Sequence, residues 1–156
     1  MTKLHEIVDM SVMKAYTFHA VIVIIKMMLM SPLTGYLRMK NRAFANPEDA
    51  VAFGKGEAAQ KYLRTDPYVE RVRRLHRNDL ENIIPYLFIA FFYSFTGVSE
   101  TTALMHFRIF TAARLFHTIA YLLPLPQPSR GLGFGVGIAV TFSMIFQLMW
   151  NGLDLL

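Results

Sequence analysis

The segment VRRLHRNDLENIIPYLF, residues 72–88, places Arg74, Arg77, Asn78, Asp79 and Glu81 just ahead of an apolar run. On a helix, positions three and four apart share a face. Arg74, Asn78 and Glu81 therefore line one stripe, with Arg77 beside Glu81. Asp79 falls off the stripe, in place to neutralise a neighbouring arginine. Further along, Arg114, His117 and Tyr121 follow at intervals of three and four, which puts a cation, an imidazole and a phenol on one face. Arginines offer fork-shaped donors for carboxylates, Glu81 can accept from an ammonium, and Asn78 can do either job. A small zwitterionic peptide with surplus carboxylates fits this inventory. Arg130 stands apart, at the end of the proline-rich PLPQPSRG. A helix N-terminus there would add backbone donors, and a cation in that place can stabilise an anion that must meet a lipophilic partner from a bilayer.

The bilayer follows from composition. Of 156 residues, 54% are hydrophobic and 17% charged, against about 25% charged in ordinary globular chains. A span of the roughly 30 Å hydrocarbon core needs about 20 mainly apolar residues. Four stretches come close, at about 12–37, 75–96, 101–123 and 132–150, and the last carries no charge at all. Short connections between them predict an all-α, up-down four-helix bundle in a single transmembrane domain covering 1–156. The polar segment at about 38–66 reads as an ordered loop, with Pro47 and Pro67 as breakers and Gly54 and Gly56 as a turn. In GLGFGVG, Gly131/Gly135 and Gly133/Gly137 have the four-residue spacing of close-packed membrane helices.

The formal net charge of +5 could suit nucleic acid, anionic lipid or an acidic small molecule. Its distribution decides: ten of the 16 Lys and Arg fall between Arg38 and Arg77, and residues 78–107 contain none. A basic block between apolar spans, without interleaved stacking aromatics, argues against nucleic acid. By the positive-inside rule the first loop and Arg130 face the cytosol, and both termini face the other side. The N-terminal MTKLHEIVDM has acids and no long apolar run, unlike a cleaved signal peptide. The absence of cysteine excludes disulfides, thiolate metal sites and a cysteine nucleophile. Any thiol chemistry must come from a substrate.

Each charge inside a membrane costs about 2.5–3.5 kcal/mol on insertion scales, so several on facing helices should pair or line a polar cavity. Arg71 and Arg73 fit a topology signal at the surface. Arg74 and Arg77 do not stop there, because Asn78 and Glu81 continue the polar face deeper. Lys26 could serve the polar site, and fits equally a structural tie to Glu81 or another acid. His117 is read as a binding residue, and Tyr121 as a ligand contact or an interfacial tyrosine. Two other classes compete. His19, His76, His106 and His117 could serve a membrane haem protein, and a non-catalytic regulatory subunit would need Arg130 only for topology.

KNRAFANPEDAVAFGKGE, YLRTDPYVERVRRLHRNDLENIIP and FHTIAYLLPLPQPSRGL strongly resemble the microsomal glutathione transferases of the membrane-associated eicosanoid and glutathione metabolism superfamily. The resemblance runs from about Met10 to the end of the fourth span. It is greatest to the liver-type branch, with prostaglandin E synthases nearer than leukotriene C4 synthases. It implies a homotrimer in the endoplasmic reticulum membrane, with the mitochondrial outer membrane as a second location. It also implies glutathione as co-substrate, lipophilic electrophiles as substrates, no metal, and lipid hydroperoxide reduction as a second activity. Arg38, from an adjacent subunit, and Arg74, Arg77, Asn78, Glu81, His117 and Tyr121 would surround glutathione, and Arg130 would stabilise its thiolate. Two positions depart from the pattern. Gly131 stands where prostaglandin synthases carry a serine, which disfavours an isomerase. Ala50 stands where the liver-type enzyme commonly has a cysteine, so activation through that thiol cannot operate.

Overall fold

The computed structural model describes residues 9–153, with side chains as far as Trp150. The N-terminal stretch read for a leader lies mostly outside the described residues, as do residues 154–156. Among the described residues every regular element is helical: α1 (Met10–Asn41), α2 (Pro47–Val51), α3 (Glu57–Gln60), α4 (Pro67–Tyr93), α5 (Glu100–Leu122) and α6 (Ser129–Leu153).

Local chemistry sets the ends. Asp9 caps α1 by accepting from Ser11 N, and Ser99 caps α5 by accepting from Thr102 N. Asp66 accepts from both Tyr68 N and Val69 N, and Pro67 takes the first helical position, where no N–H is needed. That cap starts α4 at residue 67, earlier than the expected 75, so Pro67 opens a helix and does not merely break one. Arg71, Arg73, Arg74 and Arg77 are consequently all helical. Likewise α1 continues to Asn41 and carries Arg38, and α6 begins at Ser129 and carries Arg130 in its first turn.

The four long helices pack as a square. α1 touches α4 and α5, α6 touches α5 and α4, and α4 and α5 meet less extensively across the diagonal. The short TGVSE link therefore does not make α4 and α5 the most intimate pair. Ile83, Tyr86, Ala90 and Tyr93 of α4 meet Val12 and Val23 of α1, Ala103, Phe107 and Phe110 of α5, and Met144 of α6 in one apolar core. Outside, Phe18, Met28, Phe88, Phe142, Phe146 and Trp150 are exposed. An exposed apolar surface this extensive marks a bilayer-facing or partner-facing wall. Helices α1 and α6 are long and apolar enough to cross a membrane. α4 and α5, which carry the charges, do not meet that apolar criterion.

The connecting segment is ordered, as expected. Phe44, Ala50 and Ala59 form a small core against Tyr62, and Phe44 N donates to Tyr62 O at 2.8 Å. Gly56 has φ of +55°, the left-handed region that favours glycine. The paired-glycine reading holds for one pair only. A Cβ on Gly133 would lie 3.0 Å from His117 Cβ and 3.2 Å from Ala113 O, and one on Gly137 3.5 Å from Arg114 Cδ. A Cβ on Gly135 would meet nothing within 4 Å, and one on Gly131 only Gln127 Oε1 at 3.9 Å. Gly133 and Gly137 thus let α6 settle onto the α5 face that holds Arg114 and His117.

Candidate glutathione site

α5 brings its polar stripe together as the spacing predicts. The His117 and Tyr121 rings lie 5.3 Å apart, and the Arg130 guanidinium sits over the Tyr121 ring at 5.0 Å. The π face of Tyr121 attracts that cation and holds it beside α5. One turn below His117, Arg114 donates from Nη2 to Asn78 Oδ1 at 2.8 Å and to Asp79 Oδ1 at 2.8 Å. Lys26 donates to the same Asp79 oxygen from α1. A polar line therefore runs from Arg130 through Tyr121, His117 and Arg114 to Asn78, Asp79 and Lys26, joining all four long helices.

The lower part of this line is sealed. Asp79 is 0% exposed, Arg114 1%, His117 3% and Lys26 6%. Two formal cations share one carboxylate, and four buried atoms lack a hydrogen-bond partner: Asp79 Oδ2, Arg114 Nε, Arg114 Nη1 and His117 Nδ1. Buried polar atoms left unpaired are costly, so such a cluster marks either solvent or a ligand reaching in. Arg130 Nε is also buried without a partner.

The α4 stripe behaves differently. Arg74 and Glu81 are exposed, Asn78 is half-buried, and Arg77 Nε meets Glu81 Oε1 at 3.9 Å. Arg38 does not join the line within one chain. It borders a groove of about 390 Å³ between α1 and α4 with Thr34, Arg73, His76 and Arg77. It also borders one of similar volume under the loop with Arg64, Asp66 and Glu70. So the fold gathers Asn78, His117, Tyr121 and Arg130, turns Arg74, Arg77 and Glu81 outward from α4, and leaves Arg38 on the α1 side.

Three residues outside the expected set join the polar line: Lys26, Asp79 and Arg114. Their signal was the intramembrane charge itself. Lys26 is indeed a tie to an acid, but the acid is Asp79, because Glu81 faces outward. Of the competing histidines, His106 Nδ1 lies 2.8 Å from Thr102 O and its Nε2 3.1 Å from Ser143 Oγ, while His19 meets Thr111 Oγ1 at 3.1 Å. These polar neighbours within the bundle account for both rings.

Comparison with known proteins finds relatives along the whole chain. The MAPEG family model matches residues 16–150. Microsomal glutathione S-transferase 1 of Mus musculus is 56% identical over 155 residues, which cover 99% of this chain and all of the relative. The Homo sapiens protein of that name is also 56% identical over the same coverage. Prostaglandin E synthase of Homo sapiens is 41% identical over 138 residues, 88% of each chain. With the family pattern matched over most of its length and relatives alike from end to end, this chain belongs to the MAPEG family.

Proposed function

We propose that the chain is a membrane-bound glutathione transferase that holds glutathione between its helices as a thiolate and conjugates it to lipophilic electrophiles. The observation that carries this reading is the placement of Arg130 at the head of α6, stacked on Tyr121 above the Asn78–Arg114–His117 line. Relatives named microsomal glutathione S-transferase 1 are more similar than those named prostaglandin E synthase. Gly131, which supplies no hydroxyl beside Arg130, argues in the same direction.

A free thiol has a pKa of about 8.5 and is only a few per cent ionised near neutral pH. The nucleophile is the thiolate. Each unit of pKa lowering requires about 1.36 kcal/mol of preference for the anion, which a guanidinium in a partly desolvated site supplies. The thiol proton leaves to solvent on the cytosolic side. The sulfur then forms a bond to the electrophilic carbon as the leaving group departs with its electron pair. With a lipid hydroperoxide the thiolate attacks the peroxide oxygen, the O–O bond breaks, and an alcohol and a sulfenic acid form. A second glutathione reduces the sulfenic acid to disulfide and water.

The same reading includes four membrane spans in an up-down bundle, a homotrimer, and residence in the endoplasmic reticulum with the first loop towards the cytosol. The trimer is supported by the separation of Arg38 from the Arg130 line, which a neighbouring copy would repair, and by the wide apolar outer wall. Arg74, Arg77 and Glu81, exposed on one copy, would close on the peptide across that junction.

Rapid mixing of the detergent-solubilised protein with glutathione, followed in the thiolate ultraviolet band, tests the reading. The parent should form thiolate, and Arg130→Leu should form none while still binding glutathione. Equal thiolate in both would remove Arg130 from the mechanism, and none in either folded protein would remove the transferase.

A further inference from the structure

Asn78 can in principle donate to a ligand or accept from one, and the two faces of its amide select opposite chemistries. The neighbour settles which face is free. A guanidinium carries donors only, so the atom that meets Arg114 Nη2 at 2.8 Å is the amide oxygen. The second hydrogen on that nitrogen goes to Asp79 Oδ1, also at 2.8 Å. Asp79 is in turn held from α1 by Lys26. The guanidinium cannot turn without leaving a fully buried carboxylate without this partner, and the amide cannot flip without setting its NH2 against a cation. Asn78 Nδ2 has no hydrogen bond to any described residue, and the side chain is half-buried at the stripe that carries Arg74.

We propose that Arg114, braced by Asp79 and Lys26, is a positioning residue that locks Asn78 as a donor, so that Asn78 recognises a carboxylate of glutathione and not its ammonium. The proposal rests on the glutathione reading and assigns the polarity of one contact within it. It also gives the buried charges a task beyond mutual neutralisation. Three helices, α1, α4 and α5, meet at Asp79, and their packing is transmitted to the ligand through a single amide. A primary amide in place of that carboxylate can offer the locked NH2 only its carbonyl oxygen, an uncharged and weaker acceptor, and its own NH2 finds no partner there.

Calorimetric titration of the intact solubilised protein distinguishes this from a purely structural cluster. The probes are glutathione and its two monocarboxamides, in which one carboxylate or the other is replaced by a primary amide. The parent should bind glutathione best. Asn78→Asp keeps an acceptor for Arg114 and therefore the brace, but offers the ligand oxygen only. It should weaken glutathione at least about tenfold, and should bind one of the carboxamides more tightly than glutathione, reversing the parent's order. Arg114→Met leaves Lys26 and Asp79 as a balanced pair and frees the amide to turn. It should raise the KM for glutathione about five- to tenfold with a smaller change in kcat, leave the Arg130-dependent thiolate band in place at saturation, and reduce discrimination between the ligands to under about twofold. Should Arg114→Met not fold, the order in Asn78→Asp still decides. Equal weakening of all three ligands in Asn78→Asp, or no change, overturns the proposal while the parent's binding upholds the glutathione reading. A parent that binds none of the three overturns both.

Discussion

Arg114 and Arg77 each meet a carboxylate of α4, at 2.8 and 3.9 Å, yet the two pairs are physically unlike. The Arg77 and Glu81 side chains are 76% and 62% exposed, where screening and side-chain entropy leave an ion pair worth about 0–1 kcal/mol. The Arg114 and Asp79 side chains are 1% and 0% exposed, and neither can be left alone without stranding a charge away from solvent. Arg77 lies only one and two positions ahead of Asn78 and Asp79, the residues that Arg114 contacts. Across that distance the same residue types change from an exposed, adjustable surface to a fixed internal frame.

Removing one carboxylate from each region tests the contrast most strongly. Asp79→Asn leaves Lys26 and Arg114 buried without a counter-charge and should destabilise the fold by about 3–5 kcal/mol. Glu81→Gln should change stability by less than about 1 kcal/mol while weakening glutathione binding. Thermal unfolding in detergent, with and without glutathione, reads both. Equal losses would mean that the two regions are not distinct in the way their burial indicates.

Glycines of α6 divide along the same line. Gly133→Ala pushes a methyl group into His117 Cβ and the Ala113 carbonyl, at 3.0 and 3.2 Å, where the opposing backbone cannot yield cheaply. Overpacking of this kind costs about 1–3 kcal/mol, and it should also shift the α5 stripe and raise the KM for glutathione. Gly135→Ala enters open space and should leave both quantities unchanged or slightly stabilise the helix. Paired unfolding and kinetic measurements on the two variants suffice. A Gly133 variant as stable and active as the Gly135 variant would show that α6 does not need the close approach.

How much of this was legible without coordinates follows from which interactions are local. The stripe Arg114–His117–Tyr121 is a matter of helical spacing, and the fold keeps it intact. What spacing could not say is which face of α4 turns inward. Asp79, off the Arg74–Asn78–Glu81 stripe, was read as neutralising a neighbouring arginine, and it does pair with one, but the arginine is Arg114 of another helix. In the fold α1 and α5 both approach the Asp79 side, so the off-stripe carboxylate becomes the buried one and Glu81 the exposed one. Lys26 was read as a tie to an acid, and only packing could select Asp79 as that acid. Gly131/Gly135 and Gly133/Gly137 have identical spacing, and the pair that matters is set by where α5 sits. The early start of α4 was readable in principle, since Asp66-Pro67 is a cap followed by a first-turn proline, but the apolar content of the helix begins later and drew the boundary inward.

That same cap provides the mildest test, and it lies on the solvent side of the comparison. Asp66 accepts from Val69 N, Tyr68 N and Asn41 Nδ2. Slight burial pushes its carboxyl up, but those three hydrogen bonds together with the nearby Arg64 outweigh it and hold the group below its ordinary value. The folded form therefore favours the carboxylate. Its contribution is fully present above the unfolded pKa of about 3.9 and is lost as pH falls through the lower folded value. Asp66→Ala should cost about 1 kcal/mol, the usual loss for an N-cap, and it should fray the start of α4 without touching Asn78 three turns on. Unfolding midpoints of the parent and the variant should be separated at neutral pH and converge in acid. A constant gap across that range would mean that Asp66 caps α4 equally well without its charge, and no gap at any pH would mean that the helix start is held by Pro67 and packing alone.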